Sequence, residues 1–340
     1  MKEVILTPFK SATYLSQVRR LRIFATEALK SYPFRKYELK FINHGENSTF
    51  KVITSKKSYL LRIHRENYHT KLAIKEELKW LSHLNKVPGI NVPKPVLGKN
   101  GEILQFLKSI EVGDRYYNLF EWKDGYIRRK GYDWNFSELG SLIGKLHDNP
   151  IASKHRKYWS SEGLIGKRPT MGRVDIIKKE YGSRIDDVVK ITKKIKHRLD
   201  SYERKFPKKQ SMIHADLHFR NIIWTKEGIC PIDFDDCGIG PQIYDLAVPL
   251  NDISYKYKKL DSDIVKRHLS EFFKGYDSVR TLTKADFKIL LDLLKVRDIA
   301  MLGWVYDRRD NPSIKKYLDK NFKIIVDEIL DEDLYKFLIP

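Results

Sequence analysis

SMIHADLHFRNIIWTKEGICPIDFDDCGIGPQIYD, residues 211 to 245, gathers four carboxylates, one asparagine and two histidines into two short polar segments, each joined to an apolar run. IIW follows the first segment and CPI precedes the second, a layout that puts polar groups at the ends of buried strands. His214, Asp216 and Asn221 follow the spacing H-x-D-x-x-x-x-N, and Asp233 lies in IDFDD beyond the second run.

Such a set suits phosphoryl transfer. That reaction asks little covalent help of a protein, but it needs an attacking hydroxyl aimed at phosphorus and the triphosphate charge neutralised, usually by Mg²⁺. A carboxylate and an amide on one loop can divide these tasks. Asp216 would hold the hydroxyl and accept its proton late. The side-chain oxygen of Asn221 and the carboxylate of Asp233 would ligate magnesium, which prefers hard oxygen donors. The competing reading makes the aspartates strand-end turn residues and His214 a satisfied core histidine; it fits each residue singly better than it fits the constellation.

Composition sets the frame. The chain has 340 residues, 41% of them hydrophobic, enough to bury a substantial core in two lobes or domains. Lys and Arg number 65 against 44 Asp and Glu, a formal net charge of +21. Nucleic acid or an anionic surface could account for that balance. The basic residues are spread along the chain, however, which favours a solvated surface and disfavours nucleic acid. Cys230 and Cys237 show no metal-ligand spacing and read as buried thiols of a reducing compartment. The amino terminus carries neither a signal-peptide pattern nor a cleavage site, and no apolar run approaches the ~20 residues that span a bilayer. A cytoplasmic protein without membrane association is expected.

Outward from the central segment, the periodicity changes once. Leu15, Val18, Leu21, Ala25, Ala28 and Leu29 predict an amphipathic helix over 11–30, with Ser11 as a cap. Residues 37–65 alternate as antiparallel strands around the polar turn NHGENSTF, in which Gly45 would supply an unusual backbone conformation. Arg62 stands among apolar neighbours on the next strand. The helix TKLAIKEELKWLSHL (70–84) follows, and Glu77 lies on the face of Leu81 and Leu84, where it could pair with Arg62 and aim it at nucleotide phosphates. Residues 88–125 add two or three strands, ending in YYNLFEW and the turn KDG. Beyond them the chain is helical: SELGSLIGKLHD (137–148), with Gly140 and Gly144 permitting close approach of another backbone; a basic region of about 150–210 with few apolar positions, read as peripheral; and three further helical stretches.

The chain resembles the aminoglycoside phosphotransferase and choline kinase-like superfamily, small-molecule relatives of the protein kinases. The motifs that carry the resemblance are GENSTF, YLLRIHR, EELKWLSHL, FEWKDG, LGSLIGKLH, HADLHFRN and IDFDDCGIGPQIYDLA. The E-N-S turn and the D-F-D-D run are nearest to bacterial stress-response Ser/Thr kinases and type II homoserine kinases. The resemblance implies an α+β, two-lobed, protein-kinase-like fold: a nucleotide-binding lobe over 1–119 with a small antiparallel sheet, a hinge at 120–125, and a mainly helical lobe over 126–340. It implies Asp216 and Asn221 as catalytic, Asn221 and Asp233 as magnesium ligands, and His214 and Asp245 as supports. Arg62, Glu77, Gly45, Asn47, Ser48, Glu121 and Trp122 would contact the nucleotide, ATP or GTP. Arg62 stands where protein kinases use lysine, and its fork meets phosphate with a different geometry. Asp235, Arg297, Trp304 and Tyr306 are the candidates for an acceptor site. The implied activity is Mg²⁺- and ATP-dependent phosphorylation of a hydroxyl on a metabolite or antibiotic. A stress-response protein Ser/Thr kinase acting on a protein substrate, and a non-catalytic nucleotide-binding scaffold, are the alternatives. The strongly basic composition weighs against a polycationic aminoglycoside as acceptor.

Overall fold

The computed structural model describes residues 7–127, 135–159, 174–257, 262–310 and 312–339. The apolar patch at residues 1–6 and the part of the basic region at 160–173 lie outside them. In chain order the elements are α1 (Tyr14–Ala28), β1 (Glu38–His44), β2 (Ser48–Ile53), β3 (Ser58–Ile63), α2 (Lys71–Leu84), β4 (Pro95–Val96), β5 (Gln105–Leu107), β6 (Arg115–Glu121), α3 (Phe136–Asp148), β7 (Lys157–Tyr158), α4 (Val174–Tyr181), α5 (Arg184–Lys205), β8 (Gln210–Ile213), β9 (Ile222–Thr225), β10 (Gly228–Pro231), β11 (Gly238–Pro241), α6 (Tyr244–Tyr257), α7 (Ser262–Asp277), α8 (Lys284–Asp307) and α9 (Pro312–Leu330).

Two compact units emerge: residues 1–126 with 224–235, and residues 127–223 with 236–340. The first is built on an antiparallel sheet of order β1-β2-β3-β6-β4, with β5 also paired to β6. Alternation in β2 buries Ser48, Phe50 and Val52 on one face, where they join Leu61, Ile63 and Leu119 and the inner stripe of α1 (Leu21, Phe24, Ala25, Ala28). The cap of α1 is Thr13, whose hydroxyl accepts from the Ser16 N–H, and not Ser11; Leu15 is exposed. The segment 224–235 is tied into this unit by paired backbone hydrogen bonds between Tyr126 and Trp224 and by Asn91 Nδ2 donating to Thr225 Oγ1 at 3.0 Å.

The second unit is mainly helical. Gly140 is where α3 and α7 cross: a Cβ there would stand 2.0 Å from the Phe272 carbonyl oxygen, so the approach requires glycine. Far from peripheral, the basic helix α5 buries Ile185, Val188, Ile195 and Leu199 completely. Ile185 and Val188 share a core with α4, α8 and α9. Its apolar residues are few but fall on one stripe, while the lysines face outward. Among the described residues no helix is long and apolar enough to cross a membrane.

Candidate active site

In the second unit the HADLHFRN loop leaves β8 with Ala215 in the left-handed region, φ +68°. That turn is held by Asp245, on the first turn of α6 and fully buried: its two carboxylate oxygens accept the backbone N–H groups of His214 and Ala215, each at 2.7 Å. His147 Nε2, from the last turn of α3, meets the same carboxylate at 3.2 Å, and its other nitrogen meets the Tyr276 hydroxyl at 3.0 Å. Further along the loop, Asp252 Oδ2 accepts the Phe219 N–H at 2.8 Å. Asp245 and Asp252 are seven residues apart, two turns of α6, so one helix face grips the loop twice.

Asp216 follows the turn. The Asp216 N–H is donated to His214 Nδ1 at 3.3 Å, and Asn221 Nδ2 reaches the Asp216 carbonyl at 2.9 Å and its Oδ2 at 3.3 Å. With its amide nitrogen so engaged, Asn221 turns its carbonyl oxygen the other way, a hard donor suited to a divalent cation. Arg297 Nη2, from α8, donates to Asp216 Oδ1 at 2.7 Å. Burial opposes charge on Arg297, but Asp216 and Tyr244 outweigh it and raise its pKa above the ordinary value. His218 Nε2 lies 3.5 Å from Asp216 Oδ2; burial lowers its pKa, with Asp216 pulling the other way.

The first unit carries a second polar set. Arg62 Nη2 donates to Glu77 Oε1 at 2.6 Å, both side chains nearly inaccessible. Thr70 caps α2, and Ile74, Glu77, Leu78 and Leu81 lie on its buried face, so the glutamate is delivered to the sheet by helix register. Arg62 Nε is buried without an acceptor among the described residues. A buried guanidinium with a spare N–H is suited to an anionic oxygen. Arg62 stands opposite Asn118 in the β3–β6 register, and Asn118 Oδ1 meets His64 Nε2 at 2.8 Å.

Asp233 takes the left-handed conformation, φ +63°, and the next residue, Phe234, packs edge-on against Trp80 of α2. Asp235 is buried beside His64 (3.9 Å) and His69 (3.6 Å). Burial would raise its pKa, yet the His69 hydrogen bond and the charge of Arg62 bring it well below the usual carboxylate range. His64 itself is pushed down to about 3, first by burial and then by Arg62.

Several residues picked from the sequence occupy less exposed places than an open site would give them. Gly45 is not among the glycines with positive φ, so the turn after β1 needs no glycine for its backbone angle. Asn47 Oδ1 accepts the Arg65 N–H at 3.0 Å, and the Ser48 hydroxyl meets His44 Nδ1 at 2.8 Å. The N–H of Glu121 goes to the Lys94 carbonyl and that of Trp122 to the Ser58 carbonyl, so neither is left for a base. Tyr306 is wholly buried in the core of the second unit, while Trp304 is exposed. Asp235 is buried in the first unit with its histidines. His64, His69, Asn118, His218 and Asp252 were not singled out from sequence. Signals existed for two of them: the R-I-H alternation at the end of β3, which puts Arg62 and His64 on one face, and the seven-residue spacing from Asp245 to Asp252.

Among the described residues no three His, Cys, Asp or Glu side chains gather as a metal set.

Comparison with known proteins places this arrangement. Amicoumacin kinase of Bacillus subtilis (strain 168) is 26% identical over 299 residues, covering 84% of each chain. A microcompartment-associated aminopropanol kinase superposes with a TM-score of 0.75 at 23% identity, over 94% of this chain and 99% of its own. An amicoumacin kinase in complex with AMP-PNP, Ca²⁺ and Ami superposes at 0.72 with 22% identity, over 95% and 99%. The antiparallel-sheet unit and the helical unit are thus those of the protein-kinase-like fold. Residues 38–282 match the phosphotransferase enzyme family, and the chain belongs to it.

Proposed function

We propose that the chain transfers the γ-phosphoryl group of ATP, with Mg²⁺, to a hydroxyl of a small molecule. The observation that carries the assignment is the Asp216–Asn221 pair. A carboxylate is held at the end of a strained, doubly braced turn, and the amide five residues on is oriented through its nitrogen so that its oxygen is free to ligate. The similar amicoumacin kinase solved with a nucleotide analogue and a divalent cation supports nucleotide and metal use.

Asp216 aligns the acceptor hydroxyl and takes its proton as the hydroxyl oxygen bonds to the γ-phosphorus and the bond from that phosphorus to the bridging oxygen breaks, releasing ADP. Asn221 Oδ1 and Asp233 would hold Mg²⁺, which when bound neutralises triphosphate charge. Arg62, kept in place by Glu77, donates its remaining N–H groups to phosphate oxygens. His214 and Asp245 fix the loop, and the acceptor lies against α8 near Arg297 and Trp304. Residues 1–119 serve the nucleotide, 120–125 act as hinge, and 126–340 carry the loop and acceptor site. GTP would meet the same phosphate-binding groups as ATP.

The test is thermal: MgATP is expected to raise the melting temperature, and Asp233→Ala to remove the magnesium-dependent part of the rise. Absence of any rise with MgATP or MgGTP would refute nucleotide binding. Asp216→Asn is expected to reduce turnover of an identified acceptor by at least about a thousandfold. Activity equal to the parent's would refute the mechanism. Labelled phosphate appearing on protein rather than on a small molecule would select the protein kinase alternative.

A further inference from the structure

The geometry points to an acceptor that carries an anionic group, a carboxylate or a phosphate, beside its reactive hydroxyl, bound along a stripe of α8 formed by Arg297, Met301 and Trp304 and continued by the C-cap residue Arg308. The inference rests on the phosphotransferase reading above and adds the chemical class of the acceptor.

These four positions recur at four, three and four residues, so they lie within a narrow arc of one helix face. Over the N-terminal half of α8 the same arc holds Leu290, Leu293 and Leu294, all fully buried. From Arg297 onward it emerges: Met301 is 39% and Trp304 46% exposed. At about 1.5 Å rise per residue the stripe is roughly 16 Å long, the span of a small metabolite with a side arm. It starts at Asp216, where the hydroxyl must sit, and ends at Arg308, whose guanidinium lies over the Trp304 ring, 4.1 Å from its centroid.

Charge decides the class. The two ionic groups on the stripe are both arginines, and it carries no carboxylate. A site for an amino alcohol would need carboxylates beyond the catalytic one, because Arg297 already neutralises Asp216 at 2.7 Å. The other carboxylate gripping this loop, Asp252, is turned to the Phe219 N–H. A guanidinium has five N–H donors in a fixed fork, and Asp216 takes one of them at 2.7 Å. A carboxylate or phosphate on the carbon next to the hydroxyl would engage N–H groups of the fork that Asp216 does not take, while leaving the hydroxyl near Asp216. Without Arg297, Asp216 would repel that anion. Met301 and the Trp304 face offer apolar contact to whatever lies beyond.

The experiment compares acceptors of matched size in the full-length protein with MgATP, reading ADP release. Glycerate and 3-hydroxybutyrate supply the anion, 1-amino-2-propanol and choline the cation, and glycerol neither. The hydroxy acids are expected to have kcat/KM at least about tenfold above the amino alcohols. Arg297→Lys should retain part of the hydroxy-acid preference and Arg297→Gln lose it, with melting temperatures recorded to exclude unfolding. Amino alcohols turned over as well as or better than hydroxy acids would overturn the inference and leave the kinase reading standing. If MgATP binds but no anion-bearing acceptor is phosphorylated, the inference fails alone; if MgATP does not bind, the underlying reading fails with it.

Discussion

Replacing Asp245 by asparagine tests the brace under the catalytic loop. Both carboxylate oxygens are in use, one on the His214 N–H and one on the Ala215 N–H, each at 2.7 Å and with no solvent access. An amide has one oxygen. Whichever way it is turned, its NH₂ faces a backbone N–H, and a buried donor loses its acceptor at a cost of about 1–3 kcal/mol. The surviving bond is no longer charge-assisted, which removes roughly 1 kcal/mol more, and the same holds for the bond from His147. Together these come to about 3–5 kcal/mol of stability lost. The local effect on activity should be larger. Ala215 stands at φ +68°, a conformation worth about 1–3 kcal/mol of strain that the two bonds sustain. Once one is gone the turn can relax, and a displacement of Asp216 near 1 Å would cost about a hundredfold in kcat. Urea unfolding followed by circular dichroism gives the stability term, and steady-state turnover under folded conditions gives the other. A stability change below about 1 kcal/mol with unchanged kcat would refute the argument that Asp245 holds the loop.

Three other contacts can be perturbed one at a time. Glu77→Ala leaves Arg62 buried without its counter-charge and should destabilise the first unit by about 3–5 kcal/mol, read by urea unfolding; a change under about 1 kcal/mol would mean that Arg62 finds another partner. Gly140→Ala puts a Cβ 2.0 Å from the Phe272 carbonyl and 2.7 Å from the Tyr276 nitrogen, so α3 and α7 must part, with an expected loss of about 3 kcal/mol; a melting temperature within about 2 °C of the parent's would contradict it. His64 has a folded pKa of about 3 against 6.5 unfolded, so below pH 6.5 the unfolded chain binds the extra proton; stability is full above that pH and falls as pH drops towards 3, by up to about 1.4 kcal/mol per pH unit from this site. His64→Gln should flatten that slope between pH 6.5 and 4, and an unchanged slope would remove His64 as its source.

Much of the fold was legible because its signals are local. Alternation in FKVIT and YLLRI marks strands, and the helical spacing of Ile74, Leu78, Leu81 and Leu84 marks α2 and puts Glu77 on the inner face. The glycines of LGSLIGKLH announced a close helix crossing, which Gly140 makes against α7. Local signals failed where neighbours decide. Leu15 and Leu72 fit their helical patterns and are exposed; α5 looked too basic to be internal and buries a complete stripe. By residue type Tyr306 is as eligible for an acceptor site as Trp304, two residues earlier. The helix turns about 200° between them, so one faces the core and the other the surface.

The sequence by itself determined which groups are on offer: H-x-D-x-x-x-x-N and IDFDD supply carboxylates and an amide, the proposed base and hard oxygen donors, and the order of strands before helices supplies a two-lobed frame. It did so because helix and strand periodicity and loop spacing are set within a few residues of each side chain. Only the tertiary structure decided the partners. Arg297 reaches Asp216 from 81 residues away, and Asp245 takes the N–H groups of residues 30 and 31 positions earlier. Such pairs depend on how helices pack, a property of the assembled core that no local pattern encodes. They set the charge beside Asp216, which local sequence patterns leave open.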